Sequence, residues 1–276
     1  MTPVFYLFLC FLHIFHIFQI FDIFQNLPIA GRGLLPLCGS SERIAGMKKY
    51  SFLLFDADNT LLDFDENERV SLTETFRHFG LPCSNEVLAL YHEINIMYWE
   101  MLSRKEIERD VLLIKRFETL FERVGVKADP VAVENRYREG LGNGCQLMTG
   151  AIEVCLKLRN DYGLYIITNG VASTQHNRLE GSGLSEYMDG IFISDEIGYN
   201  KPDREFFEYV ENHIPDFACD KALVIGDSLF SDIRGGVEYG IDTCWLNIYN
   251  ADNTSEIKPT YTIRDIVELP SLLERY

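Results

Sequence analysis

From Gly150 onward, short apolar runs alternate with helical patterns, and this alternation restricts the possible folds more than any other feature of the chain. Helices are predicted over 151–161, around 173–180, over 203–213 and near 231–239. Between them lie the predicted strands Leu164-Tyr165-Ile166-Ile167, Ile191-Phe192-Ile193, Ala222-Leu223-Val224-Ile225 and a last one over 241–246. Strands this apolar, separated by helices, imply a mostly parallel sheet flanked by helices on both faces, an α/β fold of Rossmann-like type. Ser51-Phe52-Leu53-Leu54-Phe55 adds one more strand upstream. Residues 66 to about 142 carry only helical periodicity: Val87, Leu90, Ile94, Met97 and Met101 share one predicted face, and Ile107, Val111, Ile114, Phe117, Phe121 and Val124 share another. An all-helical insert therefore follows the first strand.

Ligands of such sheets bind beyond the carboxyl ends of the strands, and the polar motifs of this chain fall there. They are Asp56-Ala57-Asp58-Asn59-Thr60, Thr168-Asn169-Gly170, Lys201-Pro202, and Gly226-Asp227-Ser228 with Asp232. Each alone is explained by a helix cap, a turn or a solvated lysine. Together they converge on one edge of one sheet. Carboxylates crowded beside a buried strand repel one another and resist ionisation, so a cation is expected among them. Asp63 and Asp65 extend the acidic run and read as hinge or surface residues.

Composition narrows the partners. With 25 Lys and Arg against 42 Asp and Glu, the formal net charge is -17. That disfavours nucleic acid and anionic membrane surfaces. Seven scattered cysteines show neither a C-x-x-C pair nor zinc-ligand spacing, as expected of idle thiols in a reducing, cytoplasmic setting. Residues 1–46 form an apolar extension in which His13-Ile14-Phe15 begins a repeated triplet. Three readings of it stay open: a signal peptide, a membrane anchor, or upstream sequence preceding a true start at Met47. A membrane is an expected partner only under the second.

The set D-x-D-x-T, T-N, K-P and G-D-S-x-x-S-D resembles the four motifs of the haloacid dehalogenase (HAD) superfamily, whose type 1 cap the helical insert resembles. The stretches "FDADNTLLDFD", "ITNGVASTQHNRLEGSGL", "ISDEIGYNKP" and "GDSLFSDIRGG" are similar to its YjjG/YfnB-type pyrimidine 5'-nucleotidases. The resemblance implies a catalytic core of residues 47–65 and 143–276 and a cap of 66–142. It implies an aspartyl-phosphate mechanism with Asp56 as nucleophile and Asp58 as general acid and base, a second aspartate that favours phosphatase over dehalogenase chemistry. Thr168, the Asn169 backbone N–H and Lys201 would hold phosphate. Mg2+ would sit on the side chains of Asp56 and Asp227 and the backbone carbonyl of Asp58, with Asp232 in support. Asn95, Trp99, Arg116 and Phe117 match cap positions that would contact a pyrimidine; otherwise Trp99 and Phe117 belong to the cap's own core and Arg116 is a surface charge. Gln175 and Arg178 also match and would face either the site or the cap interface.

The expected substrate is a nucleoside 5'-monophosphate, with phosphoglycolate or a sugar phosphate as the alternative. A receiver-like module phosphorylated on aspartate is a third reading. The long insert and Asp58 argue against it, because a signalling module has no leaving group to protonate.

Overall fold

The computed structural model describes residues 48–276; the apolar extension, with the three readings attached to it, lies outside the described residues. The strands are β1 (Phe52–Phe55), β2 (Gly163–Thr168), β3 (Gly190–Ile193), β4 (Ala222–Gly226), β5 (Asp242–Leu246) and β6 (Tyr261–Ile263). They form one sheet in the order β3-β2-β1-β4-β5-β6, and every neighbouring pair is parallel.

Coverage of both faces explains why β1 is apolar without interruption. Leu53 and Phe55 point to one side, into a cluster with Val154 and Leu158 of α5 (Ala151–Leu158) and Leu269 of α10 (Leu269–Leu273). Leu54 points to the other, against Phe206, Phe207 and Val210 of α8 (Arg204–His213). From β1 the chain builds β2 and β3 on one side and then returns to place β4 on the other. The crevice at the carboxyl ends of β1 and β4 is therefore the switch point of the sheet.

The insert folds as α1 (Phe64–Phe79), α2 (Asn85–Ser103), α3 (Arg109–Val124) and α4 (Pro130–Asn143). Asp63 caps α1 by accepting from the Glu66 N–H at 3.0 Å, which gives this carboxylate a local role, and Gly80 at φ 63° ends the helix in the left-handed region. Asp129 caps α4 ahead of Pro130 in the same way. These helices enclose their own core, built on Leu72, Phe76, Tyr91, Phe117, Leu120 and Tyr137.

Two predicted details change. Val111 is 48% and Met97 36% exposed, whereas Asn95 and Arg116 are buried, so the inward faces of α2 and α3 are turned from those the apolar pattern gives. The segment predicted as one helix near 231–239 is a π-helical turn over Leu229–Ile233 followed by α9 (Arg234–Tyr239). Among the described residues, no helix is long and apolar enough to cross a membrane.

Burial pushes the thiols of Cys155 and Cys244 up to about 12. The thiolate is the reactive form. Iodoacetamide at pH 8 is therefore expected to leave both unmodified in the native protein and to label them once it is unfolded, as read by peptide mass spectrometry; labelling of either without unfolding would contradict the packing.

Candidate active site

Asp56 is the first residue beyond β1, and its N–H continues the ladder to the Ile225 carbonyl at 2.8 Å. The chain then turns sharply: Leu61 and Leu62 both donate to the Ala57 carbonyl, and Asn59 adopts φ 54°. The turn brings Asp58 to the same cavity as Asp56. Asp65 accepts from the Asn59 side chain at 3.0 Å and from the Tyr249 hydroxyl, so it braces this turn.

Lys201 lies at the centre of the site, 1% exposed. Its ammonium donates to Asp56 Oδ1 at 2.6 Å, Asp232 Oδ1 at 2.7 Å and the Ile167 carbonyl at 2.7 Å, which uses all three of its protons. Asn169 fixes the lysine from behind. Its amide donates to the Lys201 carbonyl and accepts from the Lys201 N–H, both at 2.8 Å. Asp232 is anchored on the far side by the Ser228 N–H at 3.1 Å. Gly226 permits that approach, since a Cβ there would lie 2.3 Å from Asp232 Oδ2.

Gln175 and Arg178 stand one turn apart on α6 (Ala172–Gly181) and both reach Asp58. Gln175 Nε2 donates to Asp58 Oδ2 at 2.8 Å and to Thr168 Oγ1 at 2.7 Å, and Arg178 Nη1 donates to Asp58 Oδ1. Asp58 is thereby held on both oxygens. The i, i+3 spacing is the sequence signal for this shared face, but nothing in it points to Asp58.

The electrostatics show what is missing. Burial pushes the Asp56 carboxyl up to about 7; Lys201 opposes the rise, and the charges of Asp232 and Asp58 add to it. Burial, Asp56 and Asp232 push Asp227 well above the usual carboxylate range. Burial works against the charge of Lys201, but Asp232 and Asp56 outweigh it and raise its pKa. Four carboxylates thus face two fixed cations, Lys201 and Arg178. With all four ionised, two negative charges would be left over, and a divalent ion would offset them and so oppose the rise in the Asp56 and Asp227 pKa values. Asp56, Asp227 and Asp232 each offer an oxygen within 4.8 Å of the others, and an all-oxygen set is what a hard cation takes.

A cavity of about 440 Å³ joins this cluster to the inserted helices, within the range of small-ligand sites. Trp99, Asn95 and Arg116 line it, but the last two are tied to protein partners. Asn95 Oδ1 accepts from Trp99 Nε1 at 3.1 Å and Arg116 Nη1 at 2.8 Å, while its Nδ2 donates to Glu68 at 2.7 Å. Phe117 does not line the cavity. It is fully buried against Tyr91 and Tyr137, with ring centroids 5.0 and 5.5 Å away, so the expectation that it contacts a base is corrected: its ring belongs to the insert's core. Arg109 of α3 crosses to the sheet side, donating to Asp195 at 2.6 Å, Ser194 Oγ at 2.5 Å and the Asn169 carbonyl at 3.3 Å. The charge pattern gave no notice of this tie.

The sequence pattern of the haloacid dehalogenase-like hydrolases matches residues 53–246. The chain belongs to this family. It is 41% identical over 227 residues to the HAD-hydrolase YfnB of Bacillus subtilis strain 168, covering 82% of this chain and 97% of YfnB. The crystal structure of YfnB bound to magnesium superposes with a TM-score of 0.79 over 82% of this chain and 99% of that one. Identity is 37% to the pyrimidine 5'-nucleotidase PynA of Streptococcus pneumoniae, covering 82% of this chain and 96% of PynA. It is 32% to the pyrimidine 5'-nucleotidase YjjG of Escherichia coli K12, covering 82% of this chain and 98% of YjjG. As a haloacid dehalogenase-like hydrolase, the chain brings residues from all four of its polar motifs to one cavity wall: Asp56 and Asp58, Thr168 and Asn169, Lys201, and Asp227 with Asp232.

Proposed function

We propose that this hydrolase is a Mg2+-dependent phosphomonoesterase that cleaves pyrimidine nucleoside 5'-monophosphates through an aspartyl phosphate on Asp56. The observation that carries the reading is the pairing of two carboxylates of unlike surroundings on one turn. Asp56 is locked to Lys201 in the switch-point crevice, and Asp58 is held two residues on by Gln175 and Arg178. The names of PynA and YjjG support the substrate.

A carboxylate approaching a phosphate dianion is repelled by about 4 kcal/mol per charge pair at 4 Å and an effective dielectric of 20. Mg2+, held by Asp56, Asp227 and the Asp58 carbonyl, would supply positive charge against that repulsion. The protein's own groups do the rest. Lys201 fixes one oxygen of Asp56 and leaves the other to attack phosphorus, and Thr168 with the Asn169 N–H holds phosphate oxygens. Asp58 enters this step protonated, and as the bond from phosphorus to the 5'-oxygen breaks it gives that oxygen its proton. It then takes a proton from the water that attacks phosphorus, which frees Asp56 and inorganic phosphate. Asp232 acts through Lys201, which it orients. Residues 47–65 and 143–276 form the catalytic core in this reading, and 66–142 the cap that reads the base.

Steady-state assays with Mg2+ on UMP, CMP, dTMP, AMP, GMP, phosphoglycolate and sugar phosphates test it. The highest kcat/KM is expected for a pyrimidine nucleotide. Preference for phosphoglycolate or a sugar phosphate would keep the chemistry and overturn the substrate.

A further inference from the structure

A buried chain of polar groups runs through the helical insert, and it ends on an atom with nothing to bind. Glu68 Oε1 meets His92 Nδ1 at 2.7 Å, and its Oε2 accepts from Asn95 at 2.7 Å. Asn95 Oδ1 accepts from Arg116 Nη1 at 2.8 Å, and Arg116 Nη2 donates to Glu134 Oε2 at 2.7 Å. Glu134 Oε1 has no partner, although the residue is 2% exposed. A buried carboxylate oxygen without a donor is costly, and the native proteins that keep one have a reason for it.

The place of Glu134 in the cavity wall supplies the reason. Among the described residues, the buried side-chain atoms without a partner include two on residues that line the cavity, Glu134 Oε1 and Arg178 Nη2. Arg178 stands at the phosphate end, where its other amino group holds Asp58. Glu134 stands on the cap side, with Trp99, Asn95 and Arg116 also in the wall. An unused donor and an unused acceptor thus belong to residues at opposite ends of one cavity wall. Burial pushes the Glu134 carboxyl above its usual range and Arg116 opposes the rise; paired with that guanidinium as a carboxylate, it only accepts hydrogen bonds.

We infer that Glu134 is a specificity-determining residue whose free Oε1 accepts a hydrogen bond from the pyrimidine ring, from N3–H of uracil or thymine or from the N4 amino group of cytosine. The inference rests on the nucleotidase reading and deepens it. Trp99, half-buried and fixed through its indole N–H on Asn95, offers the adjoining apolar surface. Asn95 and Arg116 act as positioning residues: Arg116 holds Oε2, which leaves Oε1 to the base.

The test compares three substrates, UMP, 3-methyl-UMP and ribose 5-phosphate, in the Mg2+-loaded enzyme and in Glu134→Gln. In the variant the amide oxygen must face Arg116, which takes only acceptors, so the amide nitrogen meets the base donor against donor. The wild type is expected to favour UMP over 3-methyl-UMP by about tenfold to a hundredfold in kcat/KM, the worth of one hydrogen bond to a charged group. In E134Q that ratio should fall to about twofold or less, and the ratio of UMP to ribose 5-phosphate should fall by about tenfold or more. Ratios cancel any loss of folded enzyme. Should E134Q not fold, Arg116→Met with Glu134→Leu removes both charges together, and the same collapse of ratios is expected. If either variant keeps the wild-type ratios, the inference is overturned and the nucleotidase reading stands. A wild type that cleaves ribose 5-phosphate as well as UMP overturns both.

Discussion

Asp56→Asn should lower kcat on any phosphomonoester by about 10⁴-fold or more, the scale seen when a nucleophile is removed, and leave the fold intact. Asparagine keeps the volume of the side chain and an oxygen for Lys201, so the 2.6 Å contact from its ammonium has a replacement acceptor. The variant should also differ from the wild type in how stability depends on pH without metal. Burial raises the Asp56 pKa from 3.8 to about 7 in the folded protein. The stability this group contributes is fully present below about 4 and is lost as the pH rises through about 7, because the unfolded chain gives up its proton first. Thermal melts in EDTA from pH 4 to 8 should therefore fall more steeply for the wild type than for Asp56→Asn. Parallel curves would show that burial does not raise the Asp56 pKa as described, and substantial turnover by the variant would show that Asp56 is not the nucleophile.

Lys201→Met should damage both activity and stability. The ammonium is the fixed cation shared by Asp56 and Asp232, and methionine fills the space without replacing any of its three hydrogen bonds. Removing one partner of a buried ion pair leaves an uncompensated charge and costs about 3–5 kcal/mol. A urea midpoint measured in EDTA is expected to drop accordingly. Saturating Mg2+ should recover part of that loss, since a bound cation stabilises the native state by mass action. A shift below about 1 kcal/mol, the usual worth of an exposed pair, would mean that the lysine is not the keystone its contacts describe.

Much of this arrangement was legible in the sequence, for an identifiable reason. β1, β2 and β4 are covered on both faces, so they read as unbroken apolar runs, and the polar residues that end them mark the edge at which sheets of this type bind ligands. The inserted helices were legible as helices, but their inward faces were not. Periodicity assigns charged and amide side chains to solvent, whereas Asn95, Arg116 and Glu134 are buried in one hydrogen-bonded chain with Glu68 that leaves Glu134 Oε1 without a partner. A pairing between α2, α3 and α4 leaves no local trace. Phe117 shows the converse limit: an aromatic on an amphipathic helix suits a cavity wall and a core equally well, and here three other helices supply the core. The side chain of Asn169 was also illegible, since its partner Lys201 lies 32 residues away. β6 has only three residues, too few for an alternating pattern to stand out.

In the proposed mechanism a carboxylate oxygen of Asp56 bonds to phosphorus. Beryllofluoride, which forms a tetrahedral adduct on a phosphorylatable aspartate, reports on that atom directly. A crystal structure of the Mg2+-loaded enzyme inhibited by beryllofluoride should show beryllium bonded to the Asp56 oxygen that Lys201 leaves free, and Asp56→Asn should take up none. Inhibition with the fluoride adduct on another residue, or an equal uptake by Asp56→Asn, would contradict the account.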